Sequence, residues 1–192
     1  MRFAFADPPY LGCAALYAKH HPEAMIWDDP ETHRSLIVRL CADYPDGWAL
    51  CLHEPSLRTI LSMCPEDVRT ASWCKPFAAF KPNVTRAWTW EPVIFRGGRP
   101  IPRTDPTWRD HIETPALSEP ITLKKGLTGA KPARFCEWVL GGLNYQPGDT
   151  VDDLFPGTGI MGRVVAERSG ASAAPSGDLF EECRSFAPEG QR

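Results

Sequence analysis

Three features are scarce in this sequence of 192 residues: long hydrophobic runs, closely spaced cysteines and positive charge. No stretch approaches the roughly 18 consecutive apolar residues that a membrane-spanning helix needs. The first residues contain no long apolar signal segment, so we expect a cytoplasmic protein that does not bind membranes. Apolar residues still make up 43% of the chain, which predicts one domain with a hydrophobic core and hardly room for two.

The seven cysteines are scattered along the chain, and none belongs to a Cys-x-x-Cys pair. Their odd number argues against a disulfide framework, and the lack of close pairs argues against a zinc site. We therefore expect reduced thiols and no bound metal.

The net charge of −3 argues against a general nucleic-acid binder, but the charges are unevenly distributed. Residues 73–134 contain eleven Lys or Arg and only five Asp or Glu. Such an excess is typical of a surface that faces a polyanion, although solvated loops produce it equally often.

Alternating apolar runs and helical patterns predict an α/β fold with a mostly parallel sheet. Residues 97–120 are rich in Pro, Thr and charge and are predicted to form a long loop or flap. Pro92 within a strand pattern predicts an edge strand or a bulge. The expected strands are 2–6, 48–52, 68–73, 88–95 and 150–155, and the expected helices are 30–43, 56–63, 132–143 and 160–168.

The tetrapeptide Asp7-Pro8-Pro9-Tyr10 follows the first predicted strand. Two prolines forbid helix, and each pushes its preceding residue to extended geometry. The motif is therefore a stiff corner that projects a carboxylate and an aromatic ring. By itself it indicates no more than a rigid surface turn.

A second motif, Pro156-Gly157-Thr158-Gly159, lies between the last predicted strand and the last predicted helix. Glycines allow close approach of the backbone to a ligand, and a helix N-terminus offers unpaired N–H groups. Such a turn suits a cofactor that carries a carboxylate or a phosphate. A lone Gly-x-Gly also occurs in ordinary turns, so alone it is a weak indication.

Together with the segment GAKPARF at residues 129–135, these motifs resemble the signatures of S-adenosylmethionine-dependent DNA amino-methyltransferases. That family methylates adenine N6 or cytosine N4. The order of the motifs resembles its circularly permuted, beta-type subgroup of phage and bacterial enzymes. The resemblance covers residues 1–168 and implies a single Rossmann-like methyltransferase domain, whose mostly parallel sheet has an antiparallel strand and whose residues 97–120 are a flap or target-contact insertion.

The resemblance also implies roles for individual residues. In the catalytic motif, the Asp7 carboxylate and the Pro8 carbonyl would accept hydrogen bonds from the amine of a flipped DNA adenine, Pro9 would stiffen the loop, and Tyr10 would stack on the base. The implied S-adenosylmethionine contacts are Asp153, Phe155, Pro156, Gly157, Thr158, Gly159, Thr128 and Lys131. The implied substrate contacts are Lys75, Phe77, Trp90 and Arg99.

The sequence departs from the family after residue 168. The family has a further strand there that ends in a ribose-binding acid, whereas this chain continues as small polar residues. Either residues 169–192 are a flexible or diverged tail of a truncated domain, or the ribose is held otherwise. The resemblance implies adenine N6 as the target, because Asp heads the first motif. Cytosine N4, an RNA substrate, and a cofactor- or nucleic-acid-binding remnant without turnover remain as alternatives.

Overall fold

The computed structural model describes residues 1–18, 22–76, 84–115 and 130–170. Its strands form one sheet, in which the fourth strand runs antiparallel to both of its neighbours and all other pairs are parallel. This confirms the predicted α/β class. The strands are β1 (Arg2–Ala6), β2 (Gly47–Cys51), β3 (Arg69–Cys74), β4 (Trp90–Gly97), β5 (His111–Glu113) and β6 (Thr150–Asp153), in the order β5-β3-β4-β2-β1-β6.

The α-helices are α1 (Pro30–Asp43), α2 (Leu57–Leu61), α3 (Ala133–Gly142) and α4 (Ile160–Ser169), with short 3₁₀ turns between several elements. Helix α1 begins as predicted: the Asp29 carboxylate accepts the Glu31 N–H at 3.0 Å, and Pro30 occupies the first turn. None of these helices, within the described part of the chain, is long and apolar enough to cross a membrane.

Side chains of the central strands alternate between two hydrophobic cores, one on each face of the sheet. From β1, Phe3 and Phe5 pack on the face covered by α3 and α4, while Ala4 and Ala6 pack on the face covered by α1. The small alanines leave room for large side chains on that second face, namely Trp27, Trp48, Leu36 and Leu40. The sheet is therefore buried on both sides, and a ligand site must lie at one of its edges.

Pro92 does not mark an edge strand, because β4 lies between β2 and β3. Its carbonyl accepts the N–H of Leu52, one residue beyond the end of β2. In an antiparallel pair the N–H and C=O of one residue point to the same neighbouring strand. The position of the missing N–H of Pro92 therefore also faces Leu52. The proline therefore removes only the reciprocal hydrogen bond to the Leu52 carbonyl, which lies beyond the end of β2.

The described part of the predicted flap, residues 97–115, is anchored to the body of the domain. Trp108 stacks on Trp138 of α3 with a centroid distance of 5.1 Å, and its indole N–H donates to the Trp138 carbonyl at 3.0 Å. Strand β5 adds three residues to the sheet beside β3, which no periodic pattern predicted. The expected tail lies outside the described residues from position 171 onward.

Candidate active site

Charged and aromatic side chains converge at one edge of the sheet because of how the strands run. Asp7 follows the end of β1, His53 the end of β2 and Lys75 the end of β3. Glu91 belongs to the start of β4, and since β4 is antiparallel, its start lies at this same edge. In α/β sheets the carboxyl ends of parallel strands are where ligands bind.

Asp7 is held by a buried lysine that comes from another part of the chain. Lys131, two residues before α3, donates from Nζ to Asp7 Oδ1 at 2.8 Å, to Oδ2 at 2.7 Å and to the Tyr10 hydroxyl at 3.0 Å. Burial lowers the pKa of Lys131, but the carboxylates of Asp7 and Glu91 outweigh it, so the pKa is raised overall. Lys131 is therefore an ammonium at neutral pH.

Glu91 forms the second half of this charge cluster. Its Oε2 lies 2.9 Å from the Tyr10 hydroxyl, and its Oε1 is hydrogen-bonded to Lys75 Nζ. Burial raises the pKa of Glu91, yet the ammonium groups of Lys131 and Lys75 outweigh this and lower it. Two carboxylates and two ammonium groups thus balance in charge, and the indole of Trp73 lies 4.9 Å below Lys75 Nζ.

The ring of Tyr10 stacks on His53, with a centroid distance of 5.6 Å and an interplanar angle of 25°. The Ser56 hydroxyl donates to the His53 carbonyl at 3.0 Å, so its oxygen must accept the bond from His53 Nδ1 at 2.9 Å. Burial lowers the pKa of His53. At neutral pH the ring is therefore an uncharged imidazole with its proton on Nδ1.

The glycine turn lies beside the Asp7 corner because β6 and β1 are parallel neighbours. Phe5 pairs with Asp153, and the N–H of Leu154 donates to the Phe5 carbonyl at 2.9 Å. Gly157 and Gly159 have φ of 50° and 73°, which only glycine adopts readily. Gly159 is the N-cap of α4 and makes no side-chain hydrogen bond, so no side chain at this position caps the first N–H groups of the helix.

A cavity of about 570 Å³ lies near the start of β4. Two of its lining residues adjoin the cluster in sequence, since Glu54 follows His53 and Trp90 precedes Glu91. Trp88 is half exposed at its rim. The lining comprises Glu54, residues 84–88 and Trp90.

The structure brings together many of the predicted site residues. Asp7, Tyr10, Lys131 and Lys75 form one cluster, with Pro8 and Pro9 buried at its corner. Lys131, which was expected to contact the cofactor, pairs with Asp7. The turn of Asp153, Pro156, Gly157, Thr158 and Gly159 adjoins this corner, and Trp90 lines the cavity.

Two of the predicted contact residues, Phe155 and Arg99, lie away from this cluster. Phe155 packs into the core against Trp27, with ring centroids 5.1 Å apart. Arg99 lies at the opposite edge of the sheet, where its guanidinium binds Asp149 at 2.6 Å, so it does not reach the Asp7 cluster. Phe77 and Thr128 lie outside the described residues.

Sequence reasoning missed the stacking of His53 and the bond between Glu91 and Tyr10. One available signal was position: a polar residue directly after a buried strand lies at the ligand-binding edge. Within the described ranges, no group of three His, Cys, Asp or Glu is placed to hold a metal ion.

No protein-family model matches this chain, and no curated protein matches it in sequence. Among solved structures, it is similar to the crystal structure of the M1.HpyAVI–SAM complex, with a TM-score of 0.54 over 96% of this chain and 88% of that chain. At 14% sequence identity this likeness concerns the fold. It confirms the predicted Rossmann-like architecture.

Proposed function

We propose that this protein transfers a methyl group from S-adenosylmethionine to the exocyclic amine of a flipped DNA base, adenine N6, as a permuted amino-methyltransferase of phage or bacterial type. The observation that carries the proposal is the Asp7 carboxylate at the end of β1, next to the glycine turn that follows the neighbouring strand β6. Similarity to a fold solved with SAM supports the cofactor assignment.

The residues around the glycine turn fit such a cofactor. Gly162, in the first turn of α4, is exposed, and a Cβ built on it meets no atom within 4 Å. The N–H groups behind Gly159 suit the cofactor's carboxylate. When bound, S-adenosylmethionine supplies a methyl group on a cationic sulfonium.

The Asp7 carboxylate and the Pro8 carbonyl activate the exocyclic amine of the base, which is a weak nucleophile. The lone pair of an aromatic exocyclic amine is delocalised into the ring, and hydrogen bonds from its N–H groups to two fixed acceptors localise that lone pair. The prolines hold both acceptors in place, so their orientation needs no reorganisation during the reaction. The amine loses one proton in the overall reaction, and the Asp7 carboxylate can accept it.

The basic region, residues 73–134, supplies a candidate contact surface for the nucleic acid. Four cations of the basic region 73–134 are already paired, namely Lys75, Arg96, Arg99 and Lys131. Arg86 lies at the cavity beside two tryptophans, where a guanidinium and indole rings suit a phosphate and stacked bases. We expect DNA binding to weaken as salt concentration rises.

The proposal is tested by incubating the protein with labelled S-adenosylmethionine and unmethylated DNA, followed by mass analysis of the nucleosides. We expect N6-methyladenine, and Asp7→Asn should lower kcat on the order of 10³-fold, as loss of a preorganised transition-state contact does. Cofactor affinity, measured by titration, should change little. Asp67→Asn, an exposed carboxylate paired with Arg96, is the matched control and should retain full activity.

The other results are equally informative. N4-methylcytosine would reassign the base, and labelling of RNA alone would reassign the substrate. Cofactor binding without any transfer would identify a non-catalytic remnant. No cofactor binding at millimolar concentration, or unchanged turnover by Asp7→Asn, would refute the proposal.

A further inference from the structure

We infer that Glu91 is a positioning residue: it accepts the hydroxyl proton of Tyr10 and so keeps that proton away from the oxygens of Asp7. The inference rests on the proposed function, in which Asp7 must accept a hydrogen bond from the substrate amine. It concerns a residue on β4, far in sequence from both motifs.

Among the residues that the structure describes, the Tyr10 hydroxyl proton has two acceptors within hydrogen-bond distance. Lys131 Nζ lies 3.0 Å away and, as an ammonium, only donates. The hydroxyl proton must therefore go to Glu91 Oε2 at 2.9 Å or to Asp7 Oδ1 at 3.2 Å. Glu91 is the closer acceptor, and Asp7 Oδ1 already accepts from Lys131 at 2.8 Å.

Which acceptor receives the proton matters for Asp7. An ionised carboxylate has about four lone-pair sites, two on each oxygen. Lys131 uses one site on each oxygen of Asp7. A further bond from Tyr10 would occupy the second site on Oδ1 and compete with the substrate amine. With Glu91 in place, the hydroxyl points away from Asp7.

Lys75 makes this arrangement specific to a carboxylate at position 91. In Glu91→Gln, the amide oxygen would turn to the Lys75 ammonium, because that ammonium only donates. The amide NH₂ would then face the Tyr10 oxygen and donate to it. The Tyr10 proton would be left with Asp7 Oδ1 as its acceptor, although the side-chain volume is unchanged.

A double-mutant cycle on methyl transfer tests the inference. We expect Glu91→Gln to lower kcat by about tenfold, the effect of one hydrogen bond of roughly 1.4 kcal/mol, with little change in KM. In the background of Tyr10→Phe, which keeps the ring and removes the hydroxyl, Glu91→Gln should cost less than about twofold. Equal losses in both backgrounds would overturn the inference, because they would show that Glu91 acts through its charge or through folding.

A second measurement does not depend on turnover. In protein labelled with ¹³C at the aspartate carboxyls, the Asp7 resonance is assigned by its absence in Asp7→Asn. We expect Glu91→Gln to shift that resonance when Tyr10 is present and to leave it nearly unchanged alongside Tyr10→Phe. The same shift in both backgrounds, or none in either, would refute the hydroxyl reorientation. If the protein transfers no methyl group, the proposed function fails, yet this measurement still decides where the Tyr10 proton lies.

Discussion

The two edges of the sheet both contain buried charges, but they differ in what lies beside them. At the edge after β1, the Asp7 carboxylate pairs with Lys131, and a glycine turn follows the neighbouring strand β6. At the opposite edge, Asp149 binds Arg99 at 2.6 Å and the backbone N–H of Gln146 at 2.9 Å. Both carboxylates are held by cations, so ion pairing alone does not distinguish a site from a structural clamp.

The backbone beside the two carboxylates differs. At the opposite edge, a Cβ on Gly47 would lie 2.5 Å from the N atom of Gly98, so two loops are in contact there. Beside the Asp7 corner, the glycine turn after β6 leads into α4, whose N-cap Gly159 makes no side-chain hydrogen bond. Backbone N–H groups at a helix N-terminus beside a fixed charge can bind an anionic group of a ligand.

The largest expected effect comes from removing the buried cation of the active-site edge. Lys131→Met leaves the Asp7 carboxylate without its ammonium and Glu91 with Lys75 alone, and it should lower the free energy of unfolding by about 3–5 kcal/mol at pH 7. Lys75→Met is the matched control; its side chain is 22% exposed, and we expect a loss of about 1 kcal/mol. Urea unfolding measures both.

The pH dependence of that loss identifies its cause. The pKa of Glu91 is lowered in the fold, so its contribution to stability is present above the ordinary glutamate range and is lost as pH falls. The difference between wild type and Lys131→Met should therefore shrink below about pH 4, where carboxylates protonate. A difference independent of pH would indicate that lost packing, rather than charge, explains the effect.

A smaller loss of stability is expected from a substitution at Gly47, where the backbone contacts Gly98 at the opposite edge. Gly47→Ala places a methyl group against backbone atoms at a φ of 148° and should destabilise the fold by about 1–3 kcal/mol. Gly148→Ala is the control, since its φ of 96° is also strained but its surroundings are open. We expect a smaller loss there and full methyl transfer per folded molecule in both. Equal losses of stability in the two variants would show that the strained backbone conformation, and not the contact of the methyl group with backbone atoms, destabilises the fold.

The smallest effect is expected from the ion pairs of Asp149 with Arg99 and the Met1 ammonium. Burial raises the pKa of Asp149, but hydrogen bonds from the Met1 ammonium and from Arg99 outweigh it and lower the pKa to about 2. The stabilisation is therefore fully present above about pH 4 and is lost as pH falls through about 2. Asp149→Asn should cost about 1–2 kcal/mol at pH 7 and clearly less near pH 2. Thermal unfolding across this range measures it, and reduced methyl transfer at pH 7 by the folded variant would contradict a purely structural role.

Prediction from the sequence succeeded where local physics decides the outcome. Proline pairs, glycine turns and strands with alternating burial reveal their conformation within a few residues, so the corner at Asp7 and the turn at Gly159 were predictable. Strand β5 was not, because its three residues are extended only through pairing with β3. The placement of Arg99 was not predictable either, since its partner Asp149 is fifty residues away.

The sequence by itself determined the α/β class, the stiff Asp-Pro-Pro-Tyr corner and the glycine turn, because these follow from periodicity and from the backbone preferences of proline and glycine. Only the tertiary structure decided that Lys131 pairs with Asp7 and that Glu91 holds the Tyr10 hydroxyl. Those contacts join strands and loops up to 124 residues apart, and the order of strands in the sheet brings them to one edge.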